Sequence, residues 1–398
     1  SLVLQWPIAQ ATFAAVQRAG DEVIRIESRV AGPEARVRRA EIGCSELMDL
    51  SRLGYDAVAE RFSGERDRWA AYVVGALAVL VAERDLESRH GMRVLLSSRV
   101  PEGKGVSSSA ALEVAAMQAM AEVSGVRVRG EELAALCQIA ENRVVGAACG
   151  IMDQMTAAIG RQDKLLSLLC QPAEVVGFLE IPSAIRLWGI DSGIRHAVSG
   201  SDYTTVRTGA CMGYRILADA RGLAVTGPDS SGRMAIEDPS WRGYLANVGV
   251  GDLESRFGGV LPESLSGGEF IARYGGTTDT VTRVDPSHDY AVRVSTEHPI
   301  REHARVVRFA NLLSEPFDDD SLEEMGLLMY ASHASYSACG LGSEGTDRLV
   351  ELVREAGPRS GLFGAKITGG GSGGTVAVLG RAEAAAALEE IAGRYARE

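Results

Sequence analysis

The sequence predicts a protein of mixed strands and helices, large enough for two domains. Three observations lead there. The chain has 398 residues, more than one hydrophobic core usually organises. Residues 11–50 alternate apolar and polar side chains, as at Thr12, Ala14 and Val16 and again from Val23 through Ile26, the period-two pattern of antiparallel strands. Stretches such as 69–82 and 110–121 are instead apolar nearly all round, as buried helices are.

Composition narrows the class. Charged residues make up 24% and hydrophobic ones 46%, the balance of a soluble globular protein. The formal net charge of −12 argues against nucleic acid or an anionic membrane surface as the main partner. The apolar run Val73 to Ala82 has ten residues, fourteen with Trp69 to Tyr72 before it, too few to span a bilayer. Cys44, Cys137, Cys149, Cys170, Cys211 and Cys339 form no Cys-x-x-Cys pair and no zinc spacing, so reduced thiols and a cytoplasmic protein are expected. Cys137 lies on an apolar stripe and belongs to the core.

The chain enters strand-like residues at once, from Ser1 to Ile8, without a capping turn. We therefore expect it to begin inside a domain. Strands over 11–50 precede a buried helix over 69–82 and a strand over 93–100. That strand runs straight into Pro101-Glu-Gly-Lys-Gly-Val-Ser-Ser-Ser-Ala-Ala111. Gly103 and Gly105 permit backbone conformations that other residues avoid. Serines at the start of the next helix can cap its first N–H groups. Free N–H groups and the positive end of the helix dipole suit a phosphate; a capped helix after an ordinary loop is the alternative.

A second helix is expected over Glu131 to Val145, with Leu133, Leu136, Cys137, Ala140 and Val144 on one stripe. Glu141 falls at the edge of that stripe, where a carboxylate needs a partner or a cation; a surface pair with Arg143 would also serve. Next, Gly146-Ala-Ala-Cys-Gly-Ile-Met-Asp-Gln-Met155 sets Asp153 and Gln154 among apolar neighbours. Asp153 is a candidate base or a helix cap. Buried strands are expected at 165–170 and 185–190. In the polar stretch 192–203, His196 or Tyr203 could contact a polyol ligand, or the stretch could cap the helix over 204–220. Residues 221–290 read as helices and loops without assigned chemistry. His298 and His303 open a helix running to Leu313, as surface residues or as metal ligands. The segment 364–379 carries glycine at five of the six positions 369–374, which would let the backbone approach a ligand or another loop. An amphipathic helix over 382–395 ends the chain.

Two distant glycine-rich loops with Cys-Gly-Ile-Met-Asp-Gln between them (149–154) resemble the sugar kinases of the GHMP superfamily. The family's phosphate loop, Pro-x-x-x-Gly-Leu-Ser-Ser-Ser-Ala, is similar to 101–110. Galactokinase-type members carry Gly-Ile-Met-Asp-Gln, as at 150–154, a Ser-x-Tyr near the sugar, as at 201–203, and Thr-Gly-Gly-Gly-x-Gly-Gly, as at 368–374; the helix before that loop looks like 326–333. Stretches 100–109, 170–174, 188–196 and 336–343 are most similar to the arabinokinase branch. Lys104 and residues 340–347 depart from ordinary galactokinases.

The resemblance implies an α+β, two-domain GHMP kinase fold. Its N-terminal domain, 1–182, would be like the second domain of ribosomal protein S5. Its C-terminal domain, 183–398, would be ferredoxin-like with added helices, and the active site would lie in the cleft between the two. It further implies ATP and Mg²⁺, with Gly103, Lys104, Gly105, Val106, Ser107, Ser108, Ser109 and Ala110 around the nucleotide phosphates and Ser109 and Glu141 on the metal. Asp153 would be the base. Gly150, Asp153, His196, Tyr203, Gly370 and Gly371 would face the sugar, with the second loop packed on the phosphate loop. The implied reaction is ATP-dependent phosphorylation of the anomeric hydroxyl of L-arabinose; galactokinase activity, or a non-catalytic sugar- and ATP-binding regulator, are the alternatives. Only small-molecule partners are implied. The family's first motif, which bears a catalytic arginine in galactokinases, would end just before Ser1, so an upstream continuation is expected.

Overall fold

A computed structural model describes residues 1–30, 36–65, 67–87, 90–195, 201–229, 233–316 and 318–398, with only the backbone of 201 and 202. They group into two compact units, residues 5–166 and residues 1–4 with 167–398.

In the unit formed by 5–166, strands Thr12–Arg18, Met92–Ser98, Val23–Val30 and Arg36–Gly43 lie side by side in that order. Met92–Ser98 runs antiparallel to Thr12–Arg18, with Val94 opposite Val16, but parallel to Val23–Val30, with Val94 opposite Ile26. The expectation of antiparallel pairing thus holds at Thr12–Arg18 and at Arg36–Gly43 and fails at the centre. Helices Cys44–Leu53, Tyr55–Arg61 and Ala71–Arg84 supply the long connection that parallel neighbours need. Residues 44–53 are helix rather than strand, because the buried positions become Cys44 and Leu47, three apart, a helical spacing.

One face of this sheet is apolar. Ile24, Ile26, Val94 and Leu96 join a single core with Val73, Val74, Leu77 and Leu80 of the helix Ala71–Arg84. Met117 and Met120 of the helix Ser108–Ser124 complete it, with Leu133 and Cys137 of the helix Gly130–Ala140. That last helix does not continue as α to Val145. Residues Glu141–Val145 form a wider π-type turn, closed by Gly146 at φ 78°, a distortion that often accompanies functional sites.

In the other unit, Thr375–Arg381 lies between Leu362–Ile367 and Ile185–Asp191, antiparallel to both. Helices Asp319–Ala338, Glu344–Ala356 and Ala385–Tyr395 belong to the same unit. Leu349, Val353, Leu362, Ala365, Val376 and Val378 share one core. A further sheet pairs Lys164–Leu169 with Leu2–Gln5 and Glu174–Glu180. Residues 221–290 are not mere connections. Trp241, Phe257, Phe270, Tyr274 and Tyr290 build an apolar cluster with Met212 and Leu217 of the helix Ser201–Ala220. Trp241 meets Tyr214 and Phe257 edge to face, at centroid distances of 6.4 and 5.7 Å. Single aromatics spread over short elements carry no periodicity, which hides such a core from a pattern reading. No helix among the described residues is long and apolar enough to cross a membrane.

Close approach of backbones limits what can stand at Gly326. A Cβ there would overlap the carbonyl of Phe363, and a Cβ on Gly364 would come within 2.6 Å of Gly326 Cα. Backbone cannot step aside as a flexible side chain can. Gly326→Ala is therefore expected to cost ~1–3 kcal/mol, read as a lowered urea midpoint; an unchanged midpoint would show that the helix shifts freely on the strand.

Candidate active site

The glycine loop lies in the unit formed by 5–166. Its backbone is left-handed at Gly103 (φ 69°), Gly105 (φ 65°) and Ser107 (φ 61°), with Lys104 and Val106 between them. The first two positions suit glycine; the third is a serine in a conformation few side chains adopt. Ser107 precedes the helix Ser108–Ser124 and makes no side-chain capping bond. The expected serine cap is absent because a cap needs extended backbone and Ser107 is left-handed. Ser109, two residues on, lies beside Glu141 and favours its charged form. The helix start thus presents first-turn N–H groups that no Ser107 cap satisfies, with Ala110 buried behind it.

Glu141 is 4% exposed, and Glu113 and Gln154 are fully buried. Gln154 Nε2 donates to Glu141 Oε2 and, at 3.3 Å, to Glu113 Oε2. The Cys149 thiol donates to Glu141 Oε2 at 3.3 Å. Among the described residues, the donors to Glu141 are neutral. The pairing with Arg143 is not formed; that guanidinium lies 5.5 Å from the ring centre of Tyr55. Asp153 is the second residue of the helix Met152–Ile159, inside its first turn and not at the cap, which is Ile151. A carboxylate there is favoured by the helix dipole. Gly150 sits in the turn just before, with open space where a Cβ would be.

The electrostatics are one-sided. Burial, followed by the charge of Glu141, pushes the Glu113 carboxyl well above its usual range. Burial raises Glu141 as well, against the hydrogen bond from Ser109, and the Asp153 charge adds to the rise. Burial and the carboxylates of Glu141 and Glu113 raise the Cys149 thiol and the Tyr72 phenol too. Ser109 and Glu141 offer hard oxygen donors in this negative pocket, which fits a small divalent cation. No group of three or more His, Cys, Asp or Glu residues among those described could hold a metal by itself, so a cation would depend on substrate oxygens and water for its other ligands.

The second glycine loop belongs to the other unit. Gly369, Gly371, Ser372, Gly373 and Gly374 all have positive φ, and Gly370 lies among them. A Cβ on Gly371 would stand 2.5 Å from the Leu341 carbonyl oxygen, and one on Gly373 2.9 Å from Ile194 Cγ2. Ser372 N donates to Leu341 O at 2.6 Å, and Gly374 N to Ile194 O at 2.9 Å. The near neighbours that demand these glycines therefore include backbone of the loop's own unit. The Tyr336 hydroxyl donates to Gly369 O at 3.1 Å. Just before the loop, His333 Nδ1 accepts from Ile367 N while Nε2 faces Asp347 Oδ1 at 3.0 Å.

Tyr203 is half-buried in the helix Ser201–Ala220, one turn before Arg207. Arg207 makes two bonds to Asp279, at 2.7 and 2.9 Å. Burial works against the Asp279 charge, but Arg207 outweighs it and holds that carboxyl at about 2. His196 lies outside the described residues. His298 and His303 are neither free surface groups nor part of a metal cluster among the described residues. His298 Nδ1 is 2.8 Å from Ser335 Oγ, and burial lowers its pKa to about 4; His303 Nδ1 accepts from Leu2 N at 3.0 Å.

Sequence reasoning missed Glu113 and Cys149 and treated Gln154 only as a neighbour of Asp153. One signal was available for Glu113: it follows Ser109 by four residues, on the same helix face, in an otherwise apolar helix.

A glycine loop opening onto a helix, with a buried carboxylate cluster at its first turns, is the architecture of a phosphate-handling enzyme family. Residues 71–161 match the GHMP kinases N terminal domain and residues 313–397 the GHMP kinases C terminal domain. The galactokinase of Chloroflexus aurantiacus is 30% identical over 95% of this chain and 78% of its own length. The chain belongs to the GHMP kinase family. The L-arabinokinase of Arabidopsis thaliana is 41% identical over 96% of this chain, which spans 41% of that protein's length. Among solved structures, Lactococcus lactis galactokinase complexed with galactose superposes with a TM-score of 0.71 at 18% identity, over 99% of this chain and 84% of that one. The fold is therefore the expected α+β GHMP kinase fold.

The burial of Glu113 has a pH consequence. The unfolded chain releases this proton near its ordinary value of 4.5 while the folded protein keeps it. Its contribution to stability is thus fully present below 4.5 and falls as pH rises toward the folded value, by up to ~1.4 kcal/mol per pH unit. Glu113→Gln has no such proton. Its urea midpoint should fall less steeply than wild type between pH 4.5 and neutrality; equal slopes would mean that folded Glu113 is ionised.

Proposed function

We propose that this chain is the catalytic part of an ATP-dependent sugar 1-kinase, with L-arabinose as its sugar. The observation that carries the sugar is the 41% identity to L-arabinokinase over 96% of the chain, against 30% to the galactokinase of C. aurantiacus. The reading as a kinase is supported by the uncapped helix start at Ser108 and the carboxylates beside it.

The N–H groups of the loop and first turn, from Gly103 through Lys104, Gly105, Val106, Ser107, Ser108 and Ser109 to Ala110, cradle the β- and γ-phosphates of ATP. Ser109 and Glu141 hold Mg²⁺, which neutralises phosphate charge when bound. Asp153 accepts the proton of the anomeric hydroxyl as that oxygen forms its bond to the γ-phosphorus. The bond from the bridging oxygen to the γ-phosphorus breaks, and ADP leaves with its electron pair. An ionised Asp is a weak base for a sugar hydroxyl, so the proton moves late. Gly150, Tyr203, His196, Gly370 and Gly371 are our candidates for contacts to the sugar.

Phosphorylation of L-arabinose, D-galactose, D-glucuronate, L-fucose and homoserine, measured with ATP on this chain and on a version extended upstream, tests the assignment. Turnover confined to L-arabinose is expected. A preference for D-galactose would replace the sugar, and ATP binding without turnover of any sugar in either form would favour a ligand-binding regulator. Asp153→Asn should lower kcat by ~10²–10⁴-fold with nucleotide affinity nearly unchanged; full activity in that variant would remove Asp153 from the mechanism.

A further inference from the structure

Three helical segments meet at one buried polar ring, open between Glu113 and Ser109, in the unit formed by 5–166. Ser109, on the glycine-loop helix, lies beside Glu141, on the π-type turn. Gln154, on the helix Met152–Ile159, donates to Glu141 and to Glu113. Glu113 and Ser109 stand one turn apart on their shared helix. Both hydrogens of the Gln154 amide can thus be used, one toward each carboxylate. The opposite amide orientation would set its oxygen against the Glu141 carboxylate, which has no hydrogen to give. Gln154 Oε1 and Glu113 Oε1 have no hydrogen-bond partner despite their burial. A buried polar group left in that state is costly. The ring is therefore not explained as a device for stability alone.

Both contacts are made by the one amide nitrogen at the end of the glutamine side chain. Gln154 reaches both carboxylates from the helix position directly after Asp153. Fixing Gln154 between Glu113 and Glu141 fixes the Glu141 carboxylate and also the backbone from which Asp153 projects. We propose that Glu113 and Gln154 are positioning residues: Glu113 holds the Gln154 amide, and Gln154 orients the Glu141 carboxylate for the divalent cation that accompanies the nucleotide, while tying the Asp153 turn to the same anchor. The inference rests on the reading of Glu141 as a cation ligand. Groups bonded behind a metal ligand govern its affinity in this way, and their loss typically weakens binding ~10–100-fold.

The test measures Mn²⁺ binding, by the paramagnetic resonance signal of the free ion, in the presence of a non-hydrolysable ATP analogue. It compares wild type, Gln154→Leu, Gln154→Asn, Glu113→Gln and Glu141→Ala. Gln154→Asn keeps the amide but loses one methylene, so it cannot span both carboxylates, and it is the milder change should Gln154→Leu fail to fold. Both Gln154 variants should weaken Mn²⁺ by ~10-fold or more, while affinity for the analogue without metal stays near wild type. Glu113→Gln still offers an oxygen to the Gln154 amide and should retain Mn²⁺ binding within about threefold of wild type. Wild-type Mn²⁺ affinity in folded Gln154→Asn would overturn the positioning role. So would weakening by Glu113→Gln as large as by Gln154→Leu, since a partner that accepts equally well would then not suffice. Unchanged Mn²⁺ affinity in Glu141→Ala would instead overturn the reading of Glu141 itself, which separates the two failures.

Discussion

One side-chain amide stands between two buried carboxylates, and the order of the surrounding segments depends on it. Glu113 and Glu141 are both nearly or fully out of water, and burial together with the Glu141 charge keeps the Glu113 proton on well above the usual carboxylate range. Gln154 supplies a hydrogen to each without adding charge of its own. A lysine there would neutralise the pocket and leave nothing for a cation; a leucine would leave two carboxylates without their shared donor. The neutral amide keeps the pocket acidic and ordered at once.

The glycine loop brings the opposite sign to the same place. A helix start without a Ser107 cap carries partial positive charge, and Ser107 is held left-handed so that it cannot fold back as a cap. Ser109 lies beside Glu141 instead and favours its charged form. Within a few residues, the unit formed by 5–166 thus presents N–H donors suited to phosphate oxygens and acceptors suited to a cation. Those are the two complements that phosphoryl transfer requires, since its chemistry is chiefly positioning and charge neutralisation. The π-type turn at Glu141–Val145 departs from the helix that carries it at this same point.

Much of this was legible in the linear order of residues. The strand at 93–100, the turn at Gly103 and Gly105 and the buried helix behind them follow from periodicity and glycine placement, and they occur in the structure close to those bounds. The family followed from several short motifs in the right order, because each motif is a local backbone shape with its own composition. Other features left no such trace. The parallel pairing of Val23–Val30 with Met92–Ser98 joins strands more than sixty residues apart, and alternation has no memory of partner or direction. The aromatic cluster around Trp241 is assembled from isolated residues on short elements. The helix at 44–53 continued an alternating stretch and showed itself only through the burial of Cys44 and Leu47.

The candidate site divides in the same way. Residue types and spacing by themselves determined a glycine loop on a helix start, a carboxylate at the edge of an apolar stripe and an aspartate in apolar company, because those are properties of neighbours along the chain. Only the tertiary structure decided that Gln154 and Cys149, and not Arg143, donate to Glu141, that Ser107 leaves its helix uncapped, and that Gln154 also reaches Glu113. The reason is physical. A buried carboxylate takes whichever donor packing brings within about 3 Å, and that donor comes from elements whose meeting is set by the common core of Val73, Leu77, Met117 and Cys137, not by their separation in sequence.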